Sequence, residues 1–268
     1  MSQGRLGKVV VFGGSGFVGS KVLEVLVGRV EQLVGASRSG RPSHLQREAW
    51  AKDVKWLQCD ALDPSQCAAA VEGADGVVVA IGSPPLPFVD YAFQVAANGT
   101  TNVNVVEAAE DCGKIVLVNA TMPHWAPKGY RDGKLQAEAA AMRHKNATIL
   151  KPSAIYGTRH HRGFPIPVPL APISWLFQNT KPLCDKLNTF PIFHNVLVPP
   201  LHVDAVAHAA ADALFTNHHV FEKGDEENDD DTRIDTTKSN NDGVVTVLDP
   251  FDILRHHHHH HHQGKGGE

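Results

Sequence analysis

The sequence predicts an α/β fold with a doubly wound parallel sheet. Short apolar runs alternate with helical segments from the N-terminus to about residue 150. Runs such as Gly76–Ile81 are apolar throughout, which is typical of strands that are buried on both faces. A glycine cluster lies between the first apolar run and the first helical pattern. Together these observations indicate parallel strands joined by crossover helices.

Each element has its own signal in the sequence. Continuous apolar runs predict strands at Lys8–Phe12, Gln32–Ala36, Val54–Cys59, Gly76–Ile81, Lys114–Val118, Ala147–Leu150 and Val244–Leu248. Apolar residues at helical spacing predict helices at Lys21–Leu26, Asn98–Cys112, Tyr130–His144 and Leu201–Leu214. His202 and Asp204 are expected to cap the start of the last helix.

The pattern changes after Gly157. Prolines interrupt the uncharged segment FPIPVPLAPISWLF, which we interpret as a proline-rich loop over a cleft. The alternative is an apolar lip that accepts a prenylated quinone or touches a membrane surface. Residues 222–243 are acidic and polar, which is typical of a disordered insertion. We predict a nucleotide-binding domain at 1–157, with part of 195–215 packed on it, and a small C-terminal substrate lobe at 158–221. The acidic insertion follows at 222–243. A terminal strand and helix at 244–255 and a histidine-rich tail at 256–268 complete the chain.

Composition narrows the class of protein. Hydrophobic residues make up 42% of the 268 positions, enough for a sizeable core, and the net charge of −4 lacks the basic footprint of a nucleic-acid-binding protein. The four cysteines form no C-x-x-C motif, so we predict neither a zinc site nor a disulfide framework, and we assign no metal to the histidine run. No uncharged run has the length of a membrane span, and the first strand follows the N-terminus too closely for a targeting peptide.

The glycine cluster predicts a site for the phosphates of a nucleotide. Gly14, Gly16 and Gly19 satisfy G-x-G-x-x-G, whereas Gly13, Gly16 and Gly19 satisfy G-x-x-G-x-x-G, and the sequence leaves both open. The cluster follows a strand and opens a helix, whose free N–H groups favour anions. The predicted phosphate-binding residues are Gly13, Ser15, Gly16, Phe17, Val18 and Gly19.

The end of the second strand indicates which nucleotide binds. The segment Gly35–Arg41 lacks the carboxylate that accepts from a ribose 2′-hydroxyl in NAD sites. Ser37 and Arg38 are expected to bind a 2′-phosphate, with Arg41 in reserve, so NADP(H) is favoured over NAD(H). Further along the sheet, Asp60 is predicted to accept from the adenine amino group. Gly82 is predicted to let the backbone pass under the dinucleotide.

Tyr130 and Lys134 are the predicted catalytic pair. Residues four apart share a helix face, so the Lys134 ammonium is expected near the phenol, where it would lower the pKa of Tyr130. Such a tyrosine moves a proton to or from a carbonyl or alcohol oxygen while a nicotinamide exchanges hydride. Thr121 is the predicted donor to the substrate oxygen, and Asn119 is the alternative.

These motifs, with NGTTNVNVVEAA, GYRDGKLQAEAA and KPSAIYG, resemble the short-chain dehydrogenase/reductase family in its atypical or extended branch. Within it they are most similar to a group that contains a mitochondrial coenzyme Q biosynthesis protein and the NADPH-binding accessory subunit of respiratory complex I. The resemblance implies a Rossmann-type fold, Tyr130 as acid/base and Lys134 on the nicotinamide ribose. The chain departs from the family pattern at Asn119-Ala120-Thr121, where a serine is usual, and at Lys151, where arginine is frequent.

The resemblance implies an NADP(H)-dependent oxidoreductase linked to coenzyme Q metabolism, with a small hydrophobic, quinone-like substrate. It also implies a mitochondrial location and a peripheral association with a membrane or complex. The alternative is a non-catalytic, nucleotide-bound subunit of a mitochondrial assembly such as complex I. A nucleotide-sugar epimerase is a third possibility.

Overall fold

A computed structural model describes residues 6–123, 125–161, 164–180, 184, 198–216, 237–240 and 243–255. Its strands are β1 (Leu6–Phe12), β2 (Val30–Ser37), β3 (Lys55–Gln58), β4 (Gly76–Val79), β5 (Lys114–Val118), β6 (Asn146–Leu150), β7 (Ile155–His161), β8 (Phe164–Val168), β9 (Leu201–His202), β10 (Thr237–Asn240) and β11 (Gly243–Leu248). Its helices are α1 (Phe17–Leu26), α2 (Pro64–Val71), α3 (Tyr91–Val95), α4 (Thr101–Ala108), α5 (Lys128–Ala141), α6 (Ala171–Asn179) and α7 (Val203–Phe215), and residues 250–255 are also helical.

The large sheet has the strand order β10-β11-β6-β5-β4-β1-β2-β3. All pairs are parallel except β10 with β11, so the predicted doubly wound parallel sheet is confirmed. β1 pairs with β2 on one side and with β4 on the other. The chain therefore reverses its direction of winding beside β1, and a crevice opens there at the carboxyl ends of the strands.

The two faces of the sheet bury separate apolar layers. Along β1, Val9 and Val11 point to one face and pack with α1 and the alanine-rich α7. Val10 and Phe12 point to the other face and pack with α2, α4 and α5. Strands with both faces covered need apolar side chains at every position, which is why the valine runs in the sequence are continuous.

A smaller sheet in the order β8-β7-β9 lies in the segment predicted as the substrate lobe. The prediction of a proline-rich loop over 164–177 is wrong, because this segment forms β8 and α6. Prolines are tolerated in β8 because it is an edge strand, and in α6 because Pro172 lies in the first turn, where no intrahelical N–H bond is lost.

Other boundaries differ from the prediction in smaller ways. The helix predicted from Asn98 begins earlier, because Asp90 caps α3 by accepting from the Phe93 N–H, and a π-helical turn at Ala96–Thr100 joins α3 to α4. Residues 237–240 of the predicted disordered insertion form β10, because they pair with β11. Residues 222–236, 241–242 and the histidine-rich tail lie outside the described residues. His202 caps α7 as predicted, with its Nδ1 accepting from the Asp204 N–H at 3.3 Å.

Candidate dinucleotide and proton-transfer site

The turn between β1 and α1 is built around Gly13. Its φ is +77°, and a Cβ at this position would lie 2.5 Å from the Ala80 carbonyl oxygen on the neighbouring strand segment. A Cβ on Gly19 would overlap the Gly13 carbonyl oxygen, so α1 packs directly on the turn. The Gly16 N–H donates to the same carbonyl at 2.8 Å. Gly13 and Gly19 are therefore the positions of the cluster where a side chain would clash most closely with backbone.

The first turn of α1 presents free N–H groups at the crevice. Gly16 is the N-cap, is exposed and provides no side chain to cap the helix. The first turn carries no acidic residue that would neutralise the positive end of the helix dipole. The backbone around Ser15, Gly16, Phe17 and Val18 thus forms a cradle that fits the phosphates of a dinucleotide.

Three side chains at the end of β2 have different surroundings. The Ser37 hydroxyl is nearly buried and donates to the Gly40 carbonyl at 2.9 Å. Arg41 is held away from the crevice by bonds from Nη2 to the carbonyls of Leu45 and Gln46, at 3.2 and 3.3 Å. Arg38 is exposed, and it forms no ion pair with any residue that the structure describes. Arg38 is therefore the guanidinium available to a ligand at this position.

The carboxyl ends of β3 and β4 carry the next two predicted residues. Asp60 Oδ1 accepts from the Leu62 N–H at 3.0 Å and closes a turn, which still leaves Oδ2 to accept from another group. Gly82 lies beside the buried pair Asn98 and Lys134. A Cβ on Gly82 would be 3.1 Å from Asn98 Oδ1 and 3.4 Å from Lys134 Nζ, so a side chain here would press on both.

Lys134 is buried at the crevice with little to pair its charge. Its side chain is 5% exposed, and Nζ donates to the Val118 carbonyl over a long 3.4 Å. Burial lowers the pKa of Lys134 to about 8. An ammonium in this position is ready to donate to a ligand oxygen that enters the crevice.

Tyr130 lies one helical turn before Lys134 and is half-buried. Burial raises the pKa of Tyr130 to about 12. The expectation that the Lys134 charge lowers this pKa is wrong for this structure, because the loss of hydration outweighs the charge. The phenol therefore carries its proton throughout the neutral range.

At the end of β5, the Thr121 hydroxyl and the Asn119 amide group both donate hydrogen bonds within the protein. The Thr121 hydroxyl donates to the Lys151 carbonyl at 2.6 Å, so its oxygen can accept but its proton is already used. Asn119 Nδ2 donates to Glu138 Oε2 at 3.0 Å and to the Lys134 carbonyl at 3.3 Å. Asn119 Oδ1 is buried and has no hydrogen-bond partner among the described residues. The predicted donor role of Thr121 thus conflicts with its observed bond.

Two residues that the sequence did not single out support this cluster. Glu138 Oε1 pairs with Lys151 Nζ at 3.0 Å, which connects α5 to the end of β6. Asn98 is fully buried at the π-helical turn, accepts from the Ser83 N–H and donates to the Ser83 hydroxyl, both at 3.0 Å. The signal available for Asn98 was a polar side chain beside a glycine, directly after the apolar residues Val95-Ala96-Ala97.

A cavity of about 250 Å³ borders the glycine turn on the side of α7. Its walls include Ser15, Gly16 and Phe17 of the turn and His160 and His202 beyond it. Neither Tyr130 nor Lys134 lines it, so this cavity lies on the glycine-turn side of the candidate site.

Fold and turn together define a Rossmann-type α/β protein with a glycine turn at the carboxyl edge of its parallel sheet. The model of the NAD dependent epimerase/dehydratase family matches residues 9–157, and the chain belongs to this family, an extended branch of the short-chain dehydrogenases/reductases. Family membership supports a nicotinamide dinucleotide as the cofactor class.

Two relatives by sequence have different coverage. The chain is 31% identical over 217 residues to an uncharacterized chloroplastic protein of Arabidopsis thaliana, At1g32220. The matched segment is 77% of this chain and 71% of that protein. It is also 33% identical over 78 residues to MIOREX complex component 2 of Saccharomyces cerevisiae. This shorter match is 28% of the length of each protein.

Solved structures share the fold at lower identity. The Bordetella bronchiseptica enzyme WbmH in complex with NAD+ has a TM-score of 0.55 at 18% identity, over 77% of this chain and 71% of that chain. UDP-glucuronic acid 4-epimerase from Bacillus cereus in complex with NAD has a TM-score of 0.50 at 17% identity, over 64% and 63%. At these identities the similarity concerns the fold.

Proposed function

We propose that the protein is an NADP(H)-dependent oxidoreductase that reduces a carbonyl or quinone oxygen. The observation that carries this proposal is the position of Lys134. Its ammonium is buried at the carboxyl ends of β4 and β5, beside Gly82, and one turn from a protonated Tyr130. The phosphate cradle of α1 lies at the same edge of the sheet.

The chemistry divides between cofactor and chain. A nicotinamide dinucleotide, when bound, supplies or accepts a hydride. Tyr130, with a pKa of about 12, holds a proton that it can donate to the substrate oxygen at neutral pH. Lys134, with a pKa of about 8, is mostly charged at that pH and stabilises negative charge that develops on this oxygen. These protonation states favour the reductive direction.

The preference for NADP(H) rests on Arg38. The guanidinium is exposed at the end of β2, where no carboxylate from Gly35–Arg41 competes for it. A 2′-phosphate at this position would form a charge-assisted pair that NAD(H) cannot form. Asp60 and Gly82 border the predicted adenine and pyrophosphate path.

Calorimetric titration with NADPH and NADH tests this preference. We expect Arg38→Ala to weaken NADPH binding roughly tenfold to a hundredfold, the loss of one charge-assisted pair, with NADH binding unchanged. Arg41→Ala is the matched control, because Arg41 is occupied by backbone carbonyls. Equal affinities of the wild-type protein for NADPH and NADH would overturn the NADP(H) assignment.

The substrate proposal is a small hydrophobic, quinone-like molecule in coenzyme Q metabolism, in a mitochondrial setting. It rests on the sequence resemblance and on the apolar segment after Gly157. Turnover of NADPH with a short-chain benzoquinone, lost in Tyr130→Phe with nucleotide affinity retained, is the expected result. Binding of NADPH without turnover on quinones, carbonyls or nucleotide sugars would instead support the alternative, a non-catalytic subunit of an assembly.

The second candidate has support of its own. The yeast protein that shares 28% of its length with this chain is named as a component of a complex, which favours a role within an assembly. The third candidate, a nucleotide-sugar epimerase, would be recognised by interconversion of a UDP-sugar with tightly held cofactor and no net oxidation.

A further inference from the structure

The helix α6 has an apolar outer face. Ile173, Trp175 and Leu176 are 44%, 67% and 49% exposed, which are large values for side chains of this type. The preceding strand β8 adds Ile166, which is 48% exposed. We refer to Trp175 and Leu176 as the α6 face.

The orientation of α6 is set by its inner side. Ser174 is buried and its hydroxyl donates to the Pro200 carbonyl at 2.6 Å. Leu170 and Phe177, one turn to each side of Ser174, are half-buried. Residues three and four apart share a helix face, so this side holds the helix against the protein, and Trp175 and Leu176 lie on the other side. The buried Ser174 and the exposed Trp175 and Leu176 are the reverse of the usual pattern of a surface helix.

Charge in this part of the sequence is basic. The chain has a net charge of −4, yet no Asp or Glu occurs between Glu138 and Asp185. Residues 164–180 are uncharged, with Arg159 and Arg162 before them and Lys181 after them. Arg159 is exposed. Arg162 and Lys181 lie outside the described residues, so Arg159 is the cation of this segment that the structure places. An apolar face in a segment whose sequence carries cations and no acids suits an anionic lipid surface in both its apolar and its charged parts.

We propose that the α6 face docks on an anionic membrane surface, with Trp175 and Leu176 inserted at the level of the lipid headgroups. Tryptophan is favoured at that level because its ring is apolar and its N–H remains hydrated. The attachment is peripheral, since none of the helices in the described part of the chain has the length and apolar character of a membrane span. The proposal does not depend on the oxidoreductase function.

Co-sedimentation of the full chain with vesicles tests the proposal. We expect binding to vesicles of phosphatidylcholine mixed with phosphatidylserine, and weaker binding to phosphatidylcholine alone. Leu176→Ser should weaken binding to the mixed vesicles by roughly fivefold to tenfold, and Trp175→Ser/Leu176→Ser by more, because apolar area is lost from the lipid contact. Arg159→Gln should weaken binding to the mixed vesicles only, and added salt should have the same effect.

Leu135→Ser is the matched control. Leu135 is 53% exposed on α5, close to the 49% of Leu176, and it does not belong to the α6 face. It should leave vesicle binding unchanged, and thermal unfolding checks that each variant is folded.

Three results would overturn the proposal. The first is no vesicle binding by the folded wild-type chain. The second is an equal loss in Leu135→Ser and Leu176→Ser. The third is a dimer in lipid-free sedimentation that Leu176→Ser dissociates while vesicle binding persists, which would assign the face to a second copy of the chain.

Discussion

Two lysines whose pKa is lowered to about 8 lie at opposite edges of the sheet. Lys114 begins β5 at the amino edge, and its Nζ donates to the Thr216 carbonyl just after α7. Lys134 lies on α5 at the carboxyl edge, where the described residues offer its Nζ one long contact, to the Val118 carbonyl. Burial lowers both pKa values, so titration alone does not distinguish them.

What differs is how completely each edge satisfies its polar groups. At the amino edge, Lys8 Nζ donates to the carbonyls of Ala70 and Glu72 at the end of α2, and the Lys8 N–H donates to Asp75 Oδ2 at 2.8 Å. Cations here complete helix C-termini, which the helix dipole favours.

At the carboxyl edge, polar groups are left without protein partners. The first turn of α1 has no side-chain cap, and Asn119 Oδ1 is buried with no partner among the described residues. Native proteins rarely leave such groups unpaired unless a ligand or water completes them. The comparison teaches that the amino edge is structural and that the carboxyl edge is prepared for a ligand.

The largest contrast is expected between Gly13→Ala and Gly28→Ala. Both glycines have positive φ, +77° and +76°, so an alanine costs about 1 kcal/mol of strain at either position. Only Gly13 also meets a close neighbour, Ala80, whereas a Cβ on Gly28 has nothing within 4 Å. Gly13→Ala should lower the free energy of unfolding by a further 1–3 kcal/mol or so. It should also weaken NADPH binding at least about a hundredfold, because a displaced turn misplaces several phosphate contacts at once.

Urea denaturation and calorimetry measure these two quantities. Gly28→Ala should bind NADPH as the wild-type protein does. Loss of NADPH binding in both variants would contradict a specific role of the Gly13 turn in nucleotide binding.

An intermediate effect is expected from Lys134→Met and Lys114→Met. Lys134→Met should reduce turnover at least about a hundredfold, because the charge near the reacting oxygen is removed. Lys114→Met should leave turnover unchanged, because Lys114 lies at the amino edge and donates to the Thr216 carbonyl. Steady-state kinetics of both variants, compared with the wild-type chain, decides whether only one of these lysines is functional.

The same pair of variants carries a pH prediction. A lysine whose pKa falls from 10.5 unfolded to about 8 folded contributes stability that is present above about 10.5 and lost as the pH falls through 8. For Lys134 this amounts to as much as about 3 kcal/mol between those limits. Each variant should therefore show a flatter rise in unfolding free energy from pH 8 to 10.5 than the wild-type protein. A rise that is unchanged in Lys134→Met would contradict the burial of its ammonium.

The smallest effect is expected from Asp75→Ala at the amino edge. Asp75 is exposed, and the variant loses the bond from the Lys8 N–H, worth about 0.5–1.5 kcal/mol. NADPH affinity should not change, because this edge is remote from the glycine turn. A measurable fall in NADPH affinity would show that the two edges are coupled.

The sequence by itself determined the layered architecture. Continuous valine runs require strands that are covered on both faces, and the confirmed parallel sheet follows from them. The sequence also determined where the glycine turn lies, because glycines between a strand and a helix favour a tight turn with close packing of the helix. The start of α7 at His202 and Asp204 was predicted for the same local reason, since a cap acts over three residues.

Tertiary structure decided which polar atoms remain available to bind a ligand. The Thr121 hydroxyl donates to the Lys151 carbonyl 30 residues along the chain, and Gly13 is constrained because the Ala80 carbonyl lies against it. Burial by surrounding elements reversed the predicted direction of the Tyr130 pKa. Desolvation and long-range hydrogen bonds depend on atoms brought together by folding, so the order of residues alone does not specify them.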